Sequence, residues 1–347
     1  VRDLPYGGRP TTLVWHRRRF ICRRCATTTT ESHPQITGHL TNRLRAALVA
    51  EVRDSTVAAA ARRHHLGWHQ VMAVVADYAT IVFYRRRRVA CRVLMVDEKS
   101  LVKGHWGFST IVSNGDTGAV VAVLPGRSEA VLDRFLARQS REWRNGVKVV
   151  ATDMAACYRG AIAAHLPNAT HVVDRFHVVR NVMKILTEAR RAAQRSERGQ
   201  PHDPEVFKAR FVLMRRIDRL SADEAAELAA LFARHSHLAA AWEMTQRFHR
   251  VYEAEGYEAA LEALDEFTRA WERTRTDMGS AVRSLLAWSS EVFAFHTCGR
   301  VTSATAEGVN NRIEVLERKA YGFRRAVNHQ ARILVECAGH APRPRAA

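Results

Sequence analysis

The sequence predicts an α/β protein with a long helical interruption, and three observations carry that prediction. Apolar runs that end in an acid recur, with Val93-Leu94-Met95-Val96 leading to Asp97 and Val147-Lys148-Val149-Val150-Ala151-Thr152 leading to Asp153. Between two further apolar runs, Asn114-Gly115-Asp116-Thr117-Gly118 is a hairpin signal. After Phe176 the apolar residues recur at helical spacing almost to the end of the chain.

Residues 1–33 read as a small β-rich piece, with Thr11–Trp15 and Arg17–Ile21 as short strands before Cys22-Arg23-Arg24-Cys25. A Cys-x-x-Cys knuckle supplies two of the four ligands that structural zinc needs. Zn²⁺ is expected only if a complete site exists, with His16 and His33 or an upstream pair as the other ligands, so Cys22 and Cys25 read as a remnant of a zinc-ribbon-like segment. Residues 38–80 are helical. Leu40, Leu44, Leu48 and Val52 keep helical spacing, and Ser55 or Thr56 can cap a helix over Val57–His64. Leu66-Gly67 then breaks the pattern before a helix over Trp68–Tyr78, which makes a helix-turn-helix whose second helix, starting Trp68-His69-Gln70, would enter the major groove. Arg85-Arg86-Arg87-Arg88 follows as a basic linker suited to phosphate contact.

Strands are expected over Arg92–Asp97, Phe108–Ser113 and Ala119–Leu124, a helix over Glu129–Arg138, a strand over Val147–Thr152, a helix over Ala155–His165 and a strand over Thr170–Val173. This β-β-β-α-β-α-β order is that of a ribonuclease-H-like fold, in which the first and fourth strands are neighbours. Asp97 and Asp153 would then lie together. Amphipathic helices near 177–198, 204–217, 222–235, 250–273 and 278–295 form a helical insertion over 178–300, with an exposed loop from Ser196 to Pro204. The catalytic domain is thus expected over 92–177 plus 301–338.

Charge narrows the partners. The 54 Lys+Arg against 35 Asp+Glu give +19 over 347 residues. Residues 1–92 hold 17 basic and 5 acidic residues, contributing +12 of that total, and nucleic acid is the commonest partner of such a field. Six cysteines, four of them isolated, in a chain of this length form no disulfide framework, and no stretch resembles a bilayer span or a signal peptide. A cytoplasmic, nucleoid-associated protein is expected.

Glu307 opens the helical stretch Glu307-Gly308-Val309-Asn310-Asn311-Arg312-Ile313. Asp97, Asp153 and Glu307 together suit a pair of hard cations, Mg²⁺ or Mn²⁺, of the kind used in two-metal phosphoryl chemistry. Glu98 should point away from Asp97. Glu314 and Glu317 are rival third ligands on the same helix. In the basic tail, where 308–347 hold 8 Lys+Arg against 3 acids, Lys319, Arg324 and Arg325 are candidate DNA-backbone contacts.

Val96-Asp97-Glu98, Thr152-Asp153-Met154 with Tyr158, Val173-Asp174-Arg175-Phe176-His177-Val178, and Glu307-Gly308-x-Asn310 followed by Arg318-Lys319-Ala320-Tyr321-Gly322-Phe323 resemble the motifs of bacterial insertion-sequence transposases of the ISL3 family. The likeness extends to Asp3-Leu4-Pro5-Tyr6-Gly7-Gly8-Arg9-Pro10 and Arg18-Arg19-Phe20-Ile21-Cys22. It implies an Asp-Asp-Glu transposase in which Asp97, Asp153 and Glu307 match the triad. Asp174 and His177 would support it, a water would attack the phosphodiester at the element's ends, and the freed 3′-OH would attack target DNA. It also implies recognition of terminal inverted repeats by the helix-turn-helix and a homo-oligomer in the active complex. Two departures stand out. The family's first cysteine pair is absent, which suggests N-terminal truncation, and Ser303-Ala304-Thr305 replaces the usual Ser-Asn-Gly before the glutamate. Two rival readings are a truncated, non-cleaving DNA-binding derivative (a repressor or relic) and an acid-pair hydrolase such as a glycosidase.

Overall fold

The computed structural model describes residues 1–100, 107–194, 203–274, 279–302 and 304–337. Most of the expected loop from Ser196 to Pro204, together with Ser303 and the tail from residue 338, lies outside the described residues. The chain divides into two compact units, one from Val1–Cys91, Glu98–Gln139 and the segment from Ala306 onward, the other from Arg92–Asp97 and Ser140–Thr305.

In the first unit, β1 (Arg2–Tyr6), β2 (Arg9–Thr12), β5 (Ile36–Thr37) and β6 (Leu40–Thr41) form a small sheet in the order β2-β1-β6-β5, and β3 (Arg19–Ile21) pairs with β4 (Thr28–Thr30). The strands expected over Thr11–Trp15 and Arg17–Ile21 are therefore shifted. Thr12 closes its strand because the ladder to β1 ends there, with Arg2 opposite Thr12. Asp3 is buried and ties this sheet to the first helix, accepting hydrogen bonds from Thr41 Oγ1 (2.6 Å) and Arg43 Nε (2.7 Å). These hydrogen bonds, that from Arg43 foremost, hold its carboxyl well below the usual carboxylate range.

Three helices follow: α1 (Asn42–Asp54), α2 (Val57–Arg63) and α3 (Trp68–Arg86). Thr56 caps α2, its Oγ1 accepting from the Ala59 N–H at 3.0 Å, whereas Ser55 ends α1. The third helix runs eight residues past the expected Tyr78 because Ala79 and Val82 continue its buried face. Arg85 and Arg86 therefore belong to its last turn and Arg87 is its cap, which corrects the basic linker. Leu44, Leu48, Val52, Val71 and Val75 of these helices share one core with Ile111, Val120 and Val123 of the hairpin β8 (Phe108–Asn114) and β9 (Ala119–Pro125). Ile313 and Leu316 of α14 (Ala304–Lys319) and Ile333 and Val335 of α15 (Ala326–Glu336) complete it. The hairpin helix α4 is Glu129–Ala137.

The main sheet has the order β11-β10-β7-β8-β9, with β7 at Val93–Ser100, β10 at Val149–Thr152 and β11 at Thr170–Val173. β7, β10 and β11 are parallel neighbours, as the expected adjacency of first and fourth strands requires. Val93–Val96 of β7 and all of β10 are buried on both faces, in keeping with their unbroken apolar runs, whereas β11 is buried only at Val172 and Val173. Between the strands lie a short helix the sequence reading omitted, α5 (Arg141–Gly146), a 3₁₀ turn (Ala156–Tyr158) and α6 (Arg159–His165).

The rest of the second unit is helical: α7 (Arg175–Gln194), α8 (Pro204–Lys208), α9 (Ala222–Arg234), α10 (Ser236–Glu253), α11 (Tyr257–Thr274), α12 (Gly279–Ala287) and α13 (Ser289–Thr297). Three expectations fail in detail. The helix over 204–217 stops at Lys208 and gives way to turns. That over 250–273 is the end of α10 and all of α11, broken at Gly256, whose φ of 101° only glycine adopts readily. That over 278–295 is two helices meeting at Trp288, and most of α10 was missed.

Candidate functional site

Register brings the strand-end acids to one level. Val96 of β7 is opposite Thr152 of β10, and Thr152 is opposite Val173 of β11. The next residue on each strand is an aspartate, so Asp97, Asp153 and Asp174 follow the last paired residues of three adjacent parallel strands, Asp97 within β7 as it runs on to Ser100 and the other two just past β10 and β11, with neighbouring strands about 4.8 Å apart. This is the end of a parallel sheet where α/β folds place ligands.

The three acids differ in setting. Asp97 and Asp153 are half-buried, while Asp174 is buried. The Asp174 N–H donates to the Thr152 carbonyl at 2.8 Å, extending the ladder, and its carboxylate accepts from His177 Nδ1 at 2.8 Å. That hydrogen bond is the largest cause of a raised His177 pKa, and the field of Asp97 adds to it. Behind them, Arg175 lies over the buried Tyr252 ring at 5.4 Å. Thr152 Oγ1 donates to the Asp153 carbonyl at 2.6 Å and meets His171 Nε2 at 2.8 Å. His171 in turn lies near Glu291 of α13, which Arg159 holds at 2.7 Å. This buffer of His171, Glu291 and Arg159 escaped the sequence reading. Glu291 is 120 residues from His171, and only the 2.0-residue alternation along Thr170–Val173 hinted that His171 faces away from Val172.

Glu307 belongs to the other unit, in the first turn of α14. Ala306, Val309, Ile313 and Leu316 bury one stripe of that helix and leave Glu307 exposed. Its two rivals are engaged within their own unit: Glu314 accepts from Lys99 Nζ at 2.9 Å, and Glu317 lies 3.2 Å from the buried His329. Glu307 has no ion pair among the described residues. Glu98 lies 3.8 Å from Arg127, in keeping with its expected orientation away from Asp97. Among the described residues no three His, Cys, Asp or Glu side chains gather closely enough to hold a metal ion by themselves.

The DNA-reading candidates separate by what they already touch. The turn His64-His65-Leu66-Gly67 sets α2 and α3 118° apart, within the range of helix-turn-helix units. Trp68 and His69 are exposed at the start of α3. Gln70 is exposed too, and its Oε1 accepts from the Gly67 N–H at 2.9 Å, capping the helix. Arg85 and Arg88 are exposed, whereas Arg87 donates to the Arg138 carbonyl at 2.6 Å and Arg86 is half-buried. Lys319 is 3.8 Å from Glu336, and Arg324 and Arg325 are exposed.

Cys22 and Cys25 lie in the turn between β3 and β4, where Ala26 takes a φ of 55°. Hydrogen bonds to Thr27 and Cys22 lower the Cys25 pKa. The pair is two thiols of a tetrahedral set, and neither His16 nor His33 joins it into a group able to hold a metal among the described residues.

A bent helix pair with an exposed aromatic start, in a chain of +19, is the arrangement of a DNA-binding protein. Comparison with known families identifies it further. A transposase family model matches residues 94–333, the helix-turn-helix domain of transposase family ISL3 matches 38–79, and the zinc-finger of transposase IS204/IS1001/IS1096/IS1165 matches 1–25. The chain belongs to the ISL3 transposase family. The transposase for insertion sequence element IS1001 from Bordetella parapertussis is 28% identical over 334 residues, 93% of this chain and 80% of that one. The transposase for IS1557 from Mycobacterium tuberculosis, in strains CDC 1551 and H37Rv, is 24% identical over 300 residues, 80% of this chain and 67% of its own. No single helix among the described residues is long and apolar enough to cross a membrane.

Proposed function

We propose that this chain is a metal-dependent DNA transposase that binds the terminal inverted repeats of an insertion sequence, cuts the element's ends and joins them to target DNA. The observation that carries the reading is the register of β7 and β10, in which Asp97 and Asp153 each follow the last paired rung, Val96 opposite Thr152. The strand order supports a ribonuclease-H-like catalytic domain over 92–177 plus 301–338, with 178–300 as its helical insertion.

The donor set is all oxygen, which suits Mg²⁺ or Mn²⁺. Asp97, Asp153 and Glu307 would hold such ions, which when bound would activate the attacking oxygen and stabilise the leaving one. The engagement of Glu314 and Glu317 elsewhere favours Glu307 as the third member. Asp174 fixes the ring of His177 beside this group, and Thr152 fixes the peptide that carries Asp153. The attacking group is first water and then the freed 3′-OH of the element. Trp68, His69 and Gln70 would read bases, with Arg85, Arg86, Arg88, Lys319, Arg324 and Arg325 on phosphates. An oligomer would hold the paired ends.

Mn²⁺- or Mg²⁺-supported nicking of inverted-repeat DNA tests the proposal. Asp97→Asn should bind the ends as wild type does while losing cleavage. Partners that only orient a metal ligand cost about 10–100-fold when removed, so loss of a ligand should cost at least ~100-fold. Full activity in Asp97→Asn would refute the triad, and end-specific binding by the wild type without any nicking would make the chain a non-cleaving derivative.

A further inference from the structure

The second unit carries a surface that the reading above leaves unused. Val206, Ala209 and Leu213, in α8 and the turns after it, point inward against Leu186 of α7 and against Leu228, Leu231 and Trp242. With that face buried, the same segment turns Phe207 and Phe211 outward, 47% and 65% exposed, followed by Met214 and Ile217. Arg210 sits between the two rings, its guanidinium 4.3 Å from the centroid of Phe207 and 4.4 Å from that of Phe211. A hydrogen bond from its Nη1 to the Phe207 carbonyl, 3.1 Å, keeps it there.

Three guanidiniums gather beside these rings, while the nearby Glu205 is paired with Lys208 at 2.9 Å. Burial lowers the pKa of Arg190 on α7, and the charges that lower it further are Arg191 and Arg210. Arg190 donates to a neutral group, Gln194 Oε1, at 2.8 Å. Among the described residues, none of Arg190, Arg191 and Arg210 has a carboxylate partner. Guanidiniums gathered with no carboxylate partner among the described residues favour an anion beside them.

We propose that this face binds single-stranded DNA, with bases stacked on Phe207 and Phe211 and phosphates against Arg190, Arg191 and Arg210. A duplex offers phosphates but keeps its bases stacked on one another, which would leave the rings idle; an unpaired strand engages both rings and charges. A second copy of the chain would cover the apolar rings but would set one arginine cluster against another. The surface is distinct from the helix-turn-helix. It depends on the transposase reading only for the source of the strand, since cutting one strand at an element's end frees an unpaired one.

The test uses the full chain and a short oligothymidine carrying 5-iodouracil, photo-crosslinked and mapped by peptide mass. Crosslinks should fall at Phe207 or Phe211. Phe207→Ala with Phe211→Ala should remove them and weaken single-strand binding about tenfold or more, with duplex binding within about twofold of wild type. Arg190→Gln and Arg191→Gln should each flatten the salt dependence by about 0.7 in log–log slope. Crosslinks confined to residues 1–92, or wild-type single-strand affinity in the double variant, would overturn the proposal. So would a fall in oligomeric mass, by light scattering, with single-strand binding unchanged, since that assigns the face to chain–chain contact. Metal-dependent nicking is read in a separate assay, so failure of the triad leaves this result standing.

Discussion

Acidification tests the packing behind Asp153. His171 has a side chain only 12% exposed, and its Nε2 meets Thr152 Oγ1 at 2.8 Å. The single hydroxyl proton of Thr152 is committed to the Asp153 carbonyl, so His171 must be the donor, with its proton on Nε2 and Nδ1 bare. Glu291 Oε1 lies 3.9 Å from Nδ1, a pairing that requires a charged ring. Burial overrides it, and with Arg159 adding to the effect it lowers the His171 pKa from 6.5 to about 4. The ring is therefore neutral at pH 7. A folded pKa below the unfolded one means that folding favours the neutral ring. Its contribution is complete above pH 6.5 and lost as pH falls through about 4. At ~1.4 kcal/mol per pH unit the interval is worth ~3 kcal/mol, of which ~2.5 kcal/mol is lost by about pH 4.5. His171→Asn keeps an N–H donor for Thr152 and does not titrate. Urea unfolding at neutral pH and at about pH 4.5 should show the wild type losing ~2–3 kcal/mol more than the variant. Equal losses would refute the reasoning, because other titrating groups are common to both proteins.

Three further outcomes are expected. Phe267 is 1% exposed and meets Phe248 edge-on at 5.6 Å, so Phe267→Ala should cost about 3–5 kcal/mol in denaturant unfolding. Thr56→Ala removes the cap of α2 and should cost about 1 kcal/mol, with the same loss seen in the midpoint of thermal unfolding scaled by the unfolding entropy. In titrations of inverted-repeat DNA, Trp68→Ala should weaken the specific site by about 1–3 kcal/mol and leave unrelated duplex unaffected, whereas Arg85→Ala should weaken both and reduce the salt slope by about 1; the opposite assignment of the two effects would place Trp68 outside the base-reading set.

The five-stranded sheet was the most legible part of the sequence because each of its signals is local. Thr170–Val173 was located to the residue, and the hairpin turn at Asn114–Gly118 was clear, since Gly118 takes a φ of 65°. Boundaries failed where tertiary packing outvotes propensity. The third helix continues past Tyr78 because Ala79 and Val82 find a core, and the 204–217 segment, periodic in sequence, stops at Lys208 and turns. Long-range pairs such as Lys99 with Glu314, or Glu291 near His171, leave no trace in spacing, so which glutamate of α14 is engaged was open until the structure paired Glu314 and Glu317.

The strand-end acids were legible for a reason that reaches beyond their motifs. Parallel strands in register bring the ends of their ladders to the same level, so an acid directly after the last paired residue of each of three adjacent strands must join a row, whatever the connections between them. That constraint makes Asp174 a member of the row on the same footing as Asp97 and Asp153. What separates it is burial: its carboxylate is shut away and spent on His177, while Asp97 and Asp153 stay half-buried. A carboxylate already bonded to an imidazole orients that ring more readily than it takes up a cation, which supports the proposal that Asp174 positions while Asp97 and Asp153 hold metal. Asp174→Asn should therefore weaken cleavage by about 10–100-fold, less than Asp97→Asn does. A loss in Asp174→Asn as deep as that in Asp97→Asn, measured in the same nicking assay, would make Asp174 a ligand instead.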